Sequence, residues 1–132
     1  MFERILLLTR SFGLAKPLGL ALARWGVDSL VYISDPALFE PSILETEDFT
    51  TIIVGKSFQG DCEDTAKWVR HIRSQYGNPI IGVNDVLSVF GDMRLLRVAG
   101  CNYLSQTADP NMQLREVLDF VWEIESNLPL LR

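Results

Sequence analysis

The stretch TTIIVGKS, residues 50–57, decides the fold because it joins a short apolar run to an abrupt polar end. Ile52, Ile53 and Val54 are consecutive and aliphatic, which is typical of a strand that is covered on both faces. Gly55 and Lys56 then end the run. A strand covered on both faces lies in a sheet with helices on either side, so similar runs should recur along the chain, separated by helical segments.

That recurrence is present on both sides of the stretch. The apolar runs predict strands over 5–8, 29–34, 50–54, 78–85 and 101–106. Helical spacing predicts helices over 14–25, 64–76, 86–98 and 110–127, with a short helix within the proline-bearing segment 36–45. Pro17 suits the first turn of a helix, so the regular part of the first helix is expected to begin near residue 16. The alternation predicts an α/β fold of three layers, in which a doubly wound, five-stranded parallel sheet lies between helices.

The composition is that of one globular domain. The chain has 132 residues, of which 48% are hydrophobic and 22% are charged; residues 1–127 are expected to form a single domain, and 128–132 a tail or the start of a linker. The net charge of −5 argues against direct nucleic-acid binding by this domain. No apolar run approaches the roughly 20 residues of a membrane span. Because the N-terminus also lacks the features of a secretory signal, we expect a cytoplasmic protein that does not associate with membranes.

Cysteine and histidine, the residue types that usually bind zinc, are scarce. Cys62 and Cys101 are far apart and form no CxxC pattern, and His71 is the single histidine. Two reduced cysteines and no zinc site are therefore expected. No glycine-rich phosphate loop follows the first strand. The sequence thus predicts neither a metal nor a cofactor.

Four stretches resemble the receiver domains of bacterial two-component response regulators. They are RILLLTRS at 4–11, FTTIIVG at 49–55, NPIIGVND at 78–85 and RLLRVAGCNYLSQ at 94–106, and the resemblance extends over nearly the whole chain. It implies the flavodoxin-like fold with strand order 2-1-3-4-5. It also implies phosphoryl transfer at the carboxyl edge of the sheet. The family places an acceptor carboxylate after the third strand, two Mg²⁺-binding acids after the first, a hydroxyl after the fourth and a lysine after the fifth.

This sequence departs from the family pattern at each of those positions. Thr9 and Arg10 stand where the acid pair is expected, and Gly55 stands where the acceptor is expected. Asn84 follows the fourth strand and Gln106 follows the fifth. The set therefore lacks the nucleophile, the metal-binding carboxylates and the cation that would bind a phosphoryl group.

Nearby acids could be proposed as substitutes for the acceptor. Residues 51–60 contain no acid, so shifting the alignment by one residue restores nothing. Asp61, Glu63 and Asp64 come later, and we expect them to cap the next helix and occupy its first turn, where acids are favoured.

Two interpretations of Asp85 remain open at this stage. Its carboxylate could pair with Arg10 or Lys56 and fill the degenerate phosphorylation pocket with an internal ion pair. Alternatively, Asp85 could cap the helix that follows it. Lys56 and Arg10 could also form a small anion site at the same edge of the sheet.

The resemblance further implies a partner surface. In receiver domains the face formed by the fourth helix, fifth strand and fifth helix is the usual dimer and partner surface. Here that face would carry Tyr103, which aligns with the family's switch aromatic, together with Arg94, Arg97, Phe120 and Trp122. Aromatic and arginine side chains are enriched in interface cores. The other interpretation is that these rings pack at the edge of the core, shielded by charged neighbours.

These observations favour a pseudo-receiver, meaning a receiver fold without phosphorylation chemistry that signals through protein–protein interaction and is not an enzyme. Its expected setting is a longer bacterial regulator, with this chain as the N-terminal regulatory domain and a protein partner that could be a second copy. The alternative is a small-ligand or anion sensor that uses the vacated pocket. A flavodoxin-like enzyme or flavin binder is less favoured, because the phosphate loop is missing.

Overall fold

A computed structural model describes residues 4–26, 29–85 and 92–127, and all structural statements concern these ranges. The strands are β1 (Arg4–Leu8), β2 (Ser29–Ile33), β3 (Thr51–Gly55), β4 (Ile80–Val83) and β5 (Tyr103–Ser105). The helices are α1 (Phe12–Arg24), α2 (Ile43–Thr46), α3 (Cys62–Arg73), α4 (Arg94–Ala99) and α5 (Pro110–Ser126), with one turn of 3₁₀ helix at Pro36–Leu38. The alternation predicted from the sequence is therefore confirmed.

The five strands form one parallel sheet in the order β2-β1-β3-β4-β5. This is the predicted order, and β3 lies at its centre. Its five residues are all buried, as the apolar run at 52–54 led us to expect. In register, Val54 lies opposite Leu8 on one side, and Gly55 lies opposite Val83 on the other. The carboxyl ends of neighbouring strands therefore meet at one edge.

Two apolar clusters cover the two faces of the sheet. One packs α3 and α4 against the sheet around fully buried Phe49 and Phe58. The other packs α1 and α5 against the opposite face, around Leu18 and Val117. On α5, Val117, Val121 and Ile124 recur at helical spacing and are buried against the sheet. This three-layer arrangement leaves the strand ends as the part of the sheet where loops and polar side chains gather.

The start of α1 differs from the sequence prediction. The helix begins at Phe12 and not near residue 16, so Pro17 lies in its second turn. Proline removes the hydrogen bond that residue 17 would donate to the carbonyl of Gly13. Gly13 is exposed, and water can therefore satisfy that carbonyl. Leu14, Leu18 and Leu22 are buried along α1, which offsets the loss of one hydrogen bond.

Other boundaries shift by one to three residues. The helix predicted over 64–76 begins two residues earlier, at Cys62, because Asp61 caps it by accepting a hydrogen bond from the Asp64 N–H at 2.7 Å. Glu63 and Asp64 lie in its first turn, as expected. The strand predicted over 101–106 is shorter, since only Tyr103–Ser105 pairs with β4. The tail at 128–132 and the first part of the helix predicted over 86–98 lie outside the described residues.

Arg73, the last residue of α3, binds the backbone at the amino edge of the sheet, opposite the carboxyl ends of the strands. Its guanidinium donates to the carbonyl of Gly100 through Nε and Nη2, at 3.2 and 2.7 Å. It also donates to the carbonyls of Tyr76 and Asn78, and to Oδ1 of Asn102. Gly100 has φ +135°, a conformation that favours glycine, and Arg73 packs directly against it. One planar side chain thus joins the segment before β4 to the segment before β5.

Candidate functional site

The residues singled out after each strand do meet at the carboxyl edge of the sheet. Thr9 follows β1, Gly55 ends β3, Asn84 follows β4 and Gln106 follows β5. Thr9 and Gly55 are buried, whereas Gln106 is exposed. The topology predicted from the sequence therefore places these side chains correctly as a group.

The space beside Gly55 is already filled by two other side chains. A Cβ atom added to Gly55 would lie 2.5 Å from Oδ2 of Asp85, 2.9 Å from Oγ1 of Thr9 and 3.3 Å from the Thr9 Cβ. Separations below 3 Å cannot be accommodated without movement, because native interiors are close-packed. A carboxylate from the end of β4 thus occupies the volume that a side chain on β3 would need.

Asp85 is held there by the backbone that follows Gly55. Its side chain is buried, with 2% of the residue exposed, and Oδ2 accepts a hydrogen bond from the Ser57 N–H at 3.2 Å. Oδ1 has no hydrogen-bond partner within the described parts of the chain, and neither does the buried Oγ of Ser57. A buried polar atom without a partner is unusual in a native fold. Two buried polar atoms at this edge are therefore left without a hydrogen-bond partner among the described residues.

The ion-pair hypothesis for Asp85 is wrong. Across the described ranges, the ion pairs are Arg4–Glu47 and Arg94–Asp92. Arg10 is exposed and instead donates from Nε to the carbonyl of Phe58 at 3.1 Å. The Ser57 N–H satisfies one carboxylate oxygen of Asp85 without a cation. The alternative, that Asp85 caps the following helix, concerns residues 86–91, which lie outside the described residues.

Lys56 lies beside this carboxylate edge but faces the interior. Only 3% of the residue is exposed. Its charge acts on the thiol of Cys62: burial raises the pKa of Cys62, and the Lys56 charge opposes that rise. The anion site of Lys56 with Arg10 stays a prediction, with Nε of Arg10 engaged by the Phe58 carbonyl.

Asn84 and Gln106 lie where β4 and β5 reach the carboxyl edge of the sheet, and they are hydrogen-bonded to each other. Asn84 donates from Nδ2 to the carbonyl of Gln106 at 2.8 Å. Gln113 on α5 donates from Nε2 to the carbonyl of Asn84 at 2.7 Å. Ser105 donates from Oγ to the carboxylate of Glu116 at 3.0 Å. The loops after β4 and β5 are therefore tied to each other and to α5 by neutral or anionic partners, with no cation among them.

The predicted partner surface is divided between two sides of α5. Tyr103 and Phe120 pack together with ring centroids 5.0 Å apart. Burial, followed by the nearby Glu123 carboxylate, raises the pKa of Tyr103. Trp122, however, lies against Trp25, the residue that follows α1, with ring centroids 5.6 Å apart, and so does not join the Tyr103 face.

The arginines of the predicted partner surface lie on α4. Arg94 and Arg97 are both exposed there. Arg94 forms a bidentate pair with Asp92 two residues earlier in the chain, and these hydrogen bonds hold the pKa of the Asp92 carboxyl below its usual range. The structure therefore groups Tyr103 with Phe120 and leaves Arg94 engaged locally.

Sequence reasoning missed two features of this molecule. The first is the insertion of Asp85 beside Gly55, which depends on a side-chain direction that no spacing reveals. The second is the pairing of Trp25 with Trp122. The sequence does indicate that Trp122 and Phe120 have different neighbours. They are two residues apart on a helix and so lie on opposite sides of its buried face.

No helix among residues 4–26, 29–85 and 92–127 is long and apolar enough to cross a bilayer. The same residues contain no group of three histidine, cysteine or acidic side chains placed to bind a metal ion. Cys62 and Cys101 are both free and buried, and burial raises the pKa of the Cys101 thiol to about 12.

Solved structures of receiver domains share this fold. A two-component response regulator from Clostridium difficile superposes with a TM-score of 0.73 at 14% identity, covering 96% of this chain and 98% of that chain. The N-terminal domain of a response regulator/sensory box/GGDEF three-domain protein from Carboxydothermus hydrogenoformans gives 0.64 at 14% identity, covering 96% and 99%. The receiver domain of the histidine kinase CKI1 from Arabidopsis thaliana, complexed with Mg²⁺, gives 0.65 at 19% identity, covering 92% and 91%.

Comparison with family models gives no match, and comparison with curated proteins gives none either. At these low identities, the structural likeness establishes the fold. The chain has the flavodoxin-like architecture of response-regulator receiver domains, as the sequence resemblance implied.

Proposed function

We propose that this chain is a phosphorylation-independent receiver-like signalling module that acts through protein–protein contacts and is not an enzyme. The observation that carries the proposal is the filled space beside Gly55. Asp85 and Thr9 occupy the volume where the receiver resemblance places the acceptor side chain. The proposed setting is the regulatory domain of a longer bacterial regulator. It is supported by the shared fold of the N-terminal domain from Carboxydothermus hydrogenoformans.

The chemistry of the edge supports the loss of phosphoryl transfer. Transfer to a carboxylate requires an accessible nucleophile and a divalent cation that neutralises the charge of the phosphoryl group. Thr9 and Arg10 offer a neutral hydroxyl and a cation, which do not form a site for Mg²⁺. Asp85 is the acid at this edge, but it is 2% exposed and one of its oxygens is engaged by Ser57.

A phosphodonor assay tests this proposal. The protein is incubated with acetyl phosphate and Mg²⁺, and intact-mass spectrometry measures whether a phosphoryl group is added. We expect no adduct on the wild-type chain or on the Asp85→Asn variant. An adduct on the wild-type protein that disappears in Asp85→Asn would contradict the proposal and identify Asp85 as a displaced acceptor. A receiver domain of established phosphorylation, run in parallel, shows that the donor is active.

A second candidate function is a ligand sensor at the same edge. It is favoured by Oδ1 of Asp85 and Oγ of Ser57, which have no hydrogen-bond partner among the described residues, and by the neighbouring Lys56. A small molecule that donates to Asp85 and carries an acceptor for Ser57 or Lys56 would use this unused bonding capacity. Amide chemical shifts recorded during titration with small zwitterionic and anionic metabolites test this candidate. Saturable shifts at Ser57 that vanish in Lys56→Met would support it, whereas linear or absent shifts would exclude it for the compounds used.

A further inference from the structure

An exposed aromatic pair marks the side of the molecule formed by α1 and α5. Trp25 follows α1 and is 40% exposed, while Trp122 on α5 is 61% exposed. Their rings meet edge to face at 5.6 Å. Leu20 on α1 is also exposed, by 60%. Large side chains left in water next to one another are the usual sign of an interaction surface.

An open groove lies beside Trp25, along α5. It has a volume of about 590 Å³ and its floor is formed by Leu114 and Leu118 of α5, with Trp25 at its side. Arg115 and Asp119 form its charged rim. The groove is therefore apolar at the bottom and carries one charge of each sign at the edge.

The outward face of α5 carries a self-complementary stripe. Met112, Arg115, Asp119 and Trp122 are three, four and three residues apart, which keeps them on one side of a helix. All four are exposed, and Met112 is 55% exposed. Within the described ranges neither Arg115 nor Asp119 takes part in an ion pair. The order along the helix is apolar, basic, acidic, apolar, and we call these four residues the α5 stripe.

A two-fold axis between two copies of α5 would place complementary side chains opposite each other. When two copies of α5 pack antiparallel through their outward faces, about an axis level with residue 117, Arg115 of each copy lies opposite Asp119 of the other. Met112 of each copy then lies opposite Trp122 of the other, a sulfur–aromatic contact. A surface that complements itself in this way meets the requirement of an isologous dimer.

We infer that the α5 stripe and the groove beside it bind a second copy of this chain. The inference deepens the proposed function, on which it rests, by naming the partner and the face. It differs from the surface formed by α4, β5 and the Tyr103 side of α5, because Trp122 lies with Trp25, which follows α1. The α5 stripe carries a basic and an acidic side chain, each of which would face its opposite on a second copy. Binding of an unrelated partner does not require this symmetric arrangement.

Paired charge reversals test this inference. Sedimentation equilibrium of the whole chain, from about 1 μM to about 1 mM, should show a monomer–dimer equilibrium. Arg115→Asp and Asp119→Arg, each alone, should weaken association by on the order of tenfold, because like charges then face each other twice in every dimer. An equimolar mixture of the two variants should recover association, since acids on one copy then face arginines on the other. Trp122→Ala should weaken association without a charge effect.

Val98→Asp on α4 provides the matched control. Val98 is 77% exposed and lies away from the stripe, so this change should leave association unaltered. A monomer at every concentration would overturn the inference. So would a dimer that Val98→Asp disrupts while Arg115→Asp does not. Neither result bears on phosphorylation, so the inference and the proposed function can fail separately.

Discussion

Substituting Gly55 by alanine should destabilise the protein through a single added methyl group. The methyl carbon would lie 2.5 Å from the Asp85 carboxylate and 2.9 Å from the Thr9 hydroxyl. Overpacking of this kind costs about 1–3 kcal/mol. Moving Asp85 away avoids the clash but breaks its hydrogen bond from Ser57, and a hydrogen bond to a charged group contributes about 1.5–3 kcal/mol. Both routes give a similar loss, which corresponds to a fall in Tm of roughly 4–12 °C for a domain of this size.

Denaturant unfolding followed by circular dichroism measures the loss in the free energy of unfolding. Two comparison variants test whether that loss comes from the contacts of the added methyl group. Gly77→Ala is the control, because a Cβ at Gly77 has no atom within 4 Å. Its stability should stay within about 0.5 kcal/mol of wild type, or rise slightly from the reduced freedom of the unfolded chain.

The second comparison is Gly55→Ala in an Asp85→Ala background, where the shortest contact is gone. There the cost of the methyl group should fall by at least about 1 kcal/mol, which is a coupling typical of residues in contact. An equal penalty in both backgrounds, or no penalty in the wild type, would refute the claim that Asp85 fills the site of the missing side chain.

Three further predictions concern the framework around the site. Arg73→Lys should lower stability by about 2–3 kcal/mol in urea unfolding, because a point charge cannot replace the bonds of the guanidinium to the Gly100 carbonyl and its neighbours; an unchanged midpoint would show that these bonds contribute little. Burial raises the pKa of Tyr76 above its ordinary value of 10.0, so above that pH the unfolded chain releases a proton that the folded chain retains. Stability should therefore decline as pH rises past about 10, by up to about 1.4 kcal/mol per pH unit from this group, and the slope should flatten in Tyr76→Phe; equal slopes would contradict the assignment. Burial also raises the pKa of Cys62 and Cys101, so both thiols should react slowly with iodoacetamide near pH 8 until denaturant is added, and rapid labelling of the native protein would show that they are accessible.

Much of the fold can be predicted from short patterns of apolar residues in the sequence. The aliphatic run at 52–54 predicts a central buried strand, and the structure places it in β3 with all five residues buried. The strand order came from the resemblance and is confirmed. The start of α1 was predicted wrongly, because the rule that proline belongs in the first turn holds only where no other interactions compensate. Three buried leucines hold this helix in place on both sides of Pro17.

The candidate site could be predicted as a group but not in its contacts. Topology requires Thr9, Gly55 and Asp85 to share one edge of the sheet, and they do. Sequence cannot show whether the Asp85 carboxylate turns toward a cation or toward a backbone N–H, because both are within reach of the same chain position. The backbone after β3 presents the Ser57 N–H to that carboxylate, which made the expected ion pair unnecessary. Side-chain direction at a loop is a tertiary property that spacing does not encode.

We propose that this edge of the sheet does not accept a phosphoryl group. Titration of the labelled protein with Mg²⁺ and beryllofluoride, which mimics a phosphoryl group on a carboxylate, tests that claim most directly through amide chemical shifts. We predict that the amides of Gly55, Lys56 and Asn84 show no saturable shift at any ratio. Saturable shifts at Gly55 and Asn84 that require both Mg²⁺ and beryllofluoride would contradict the account.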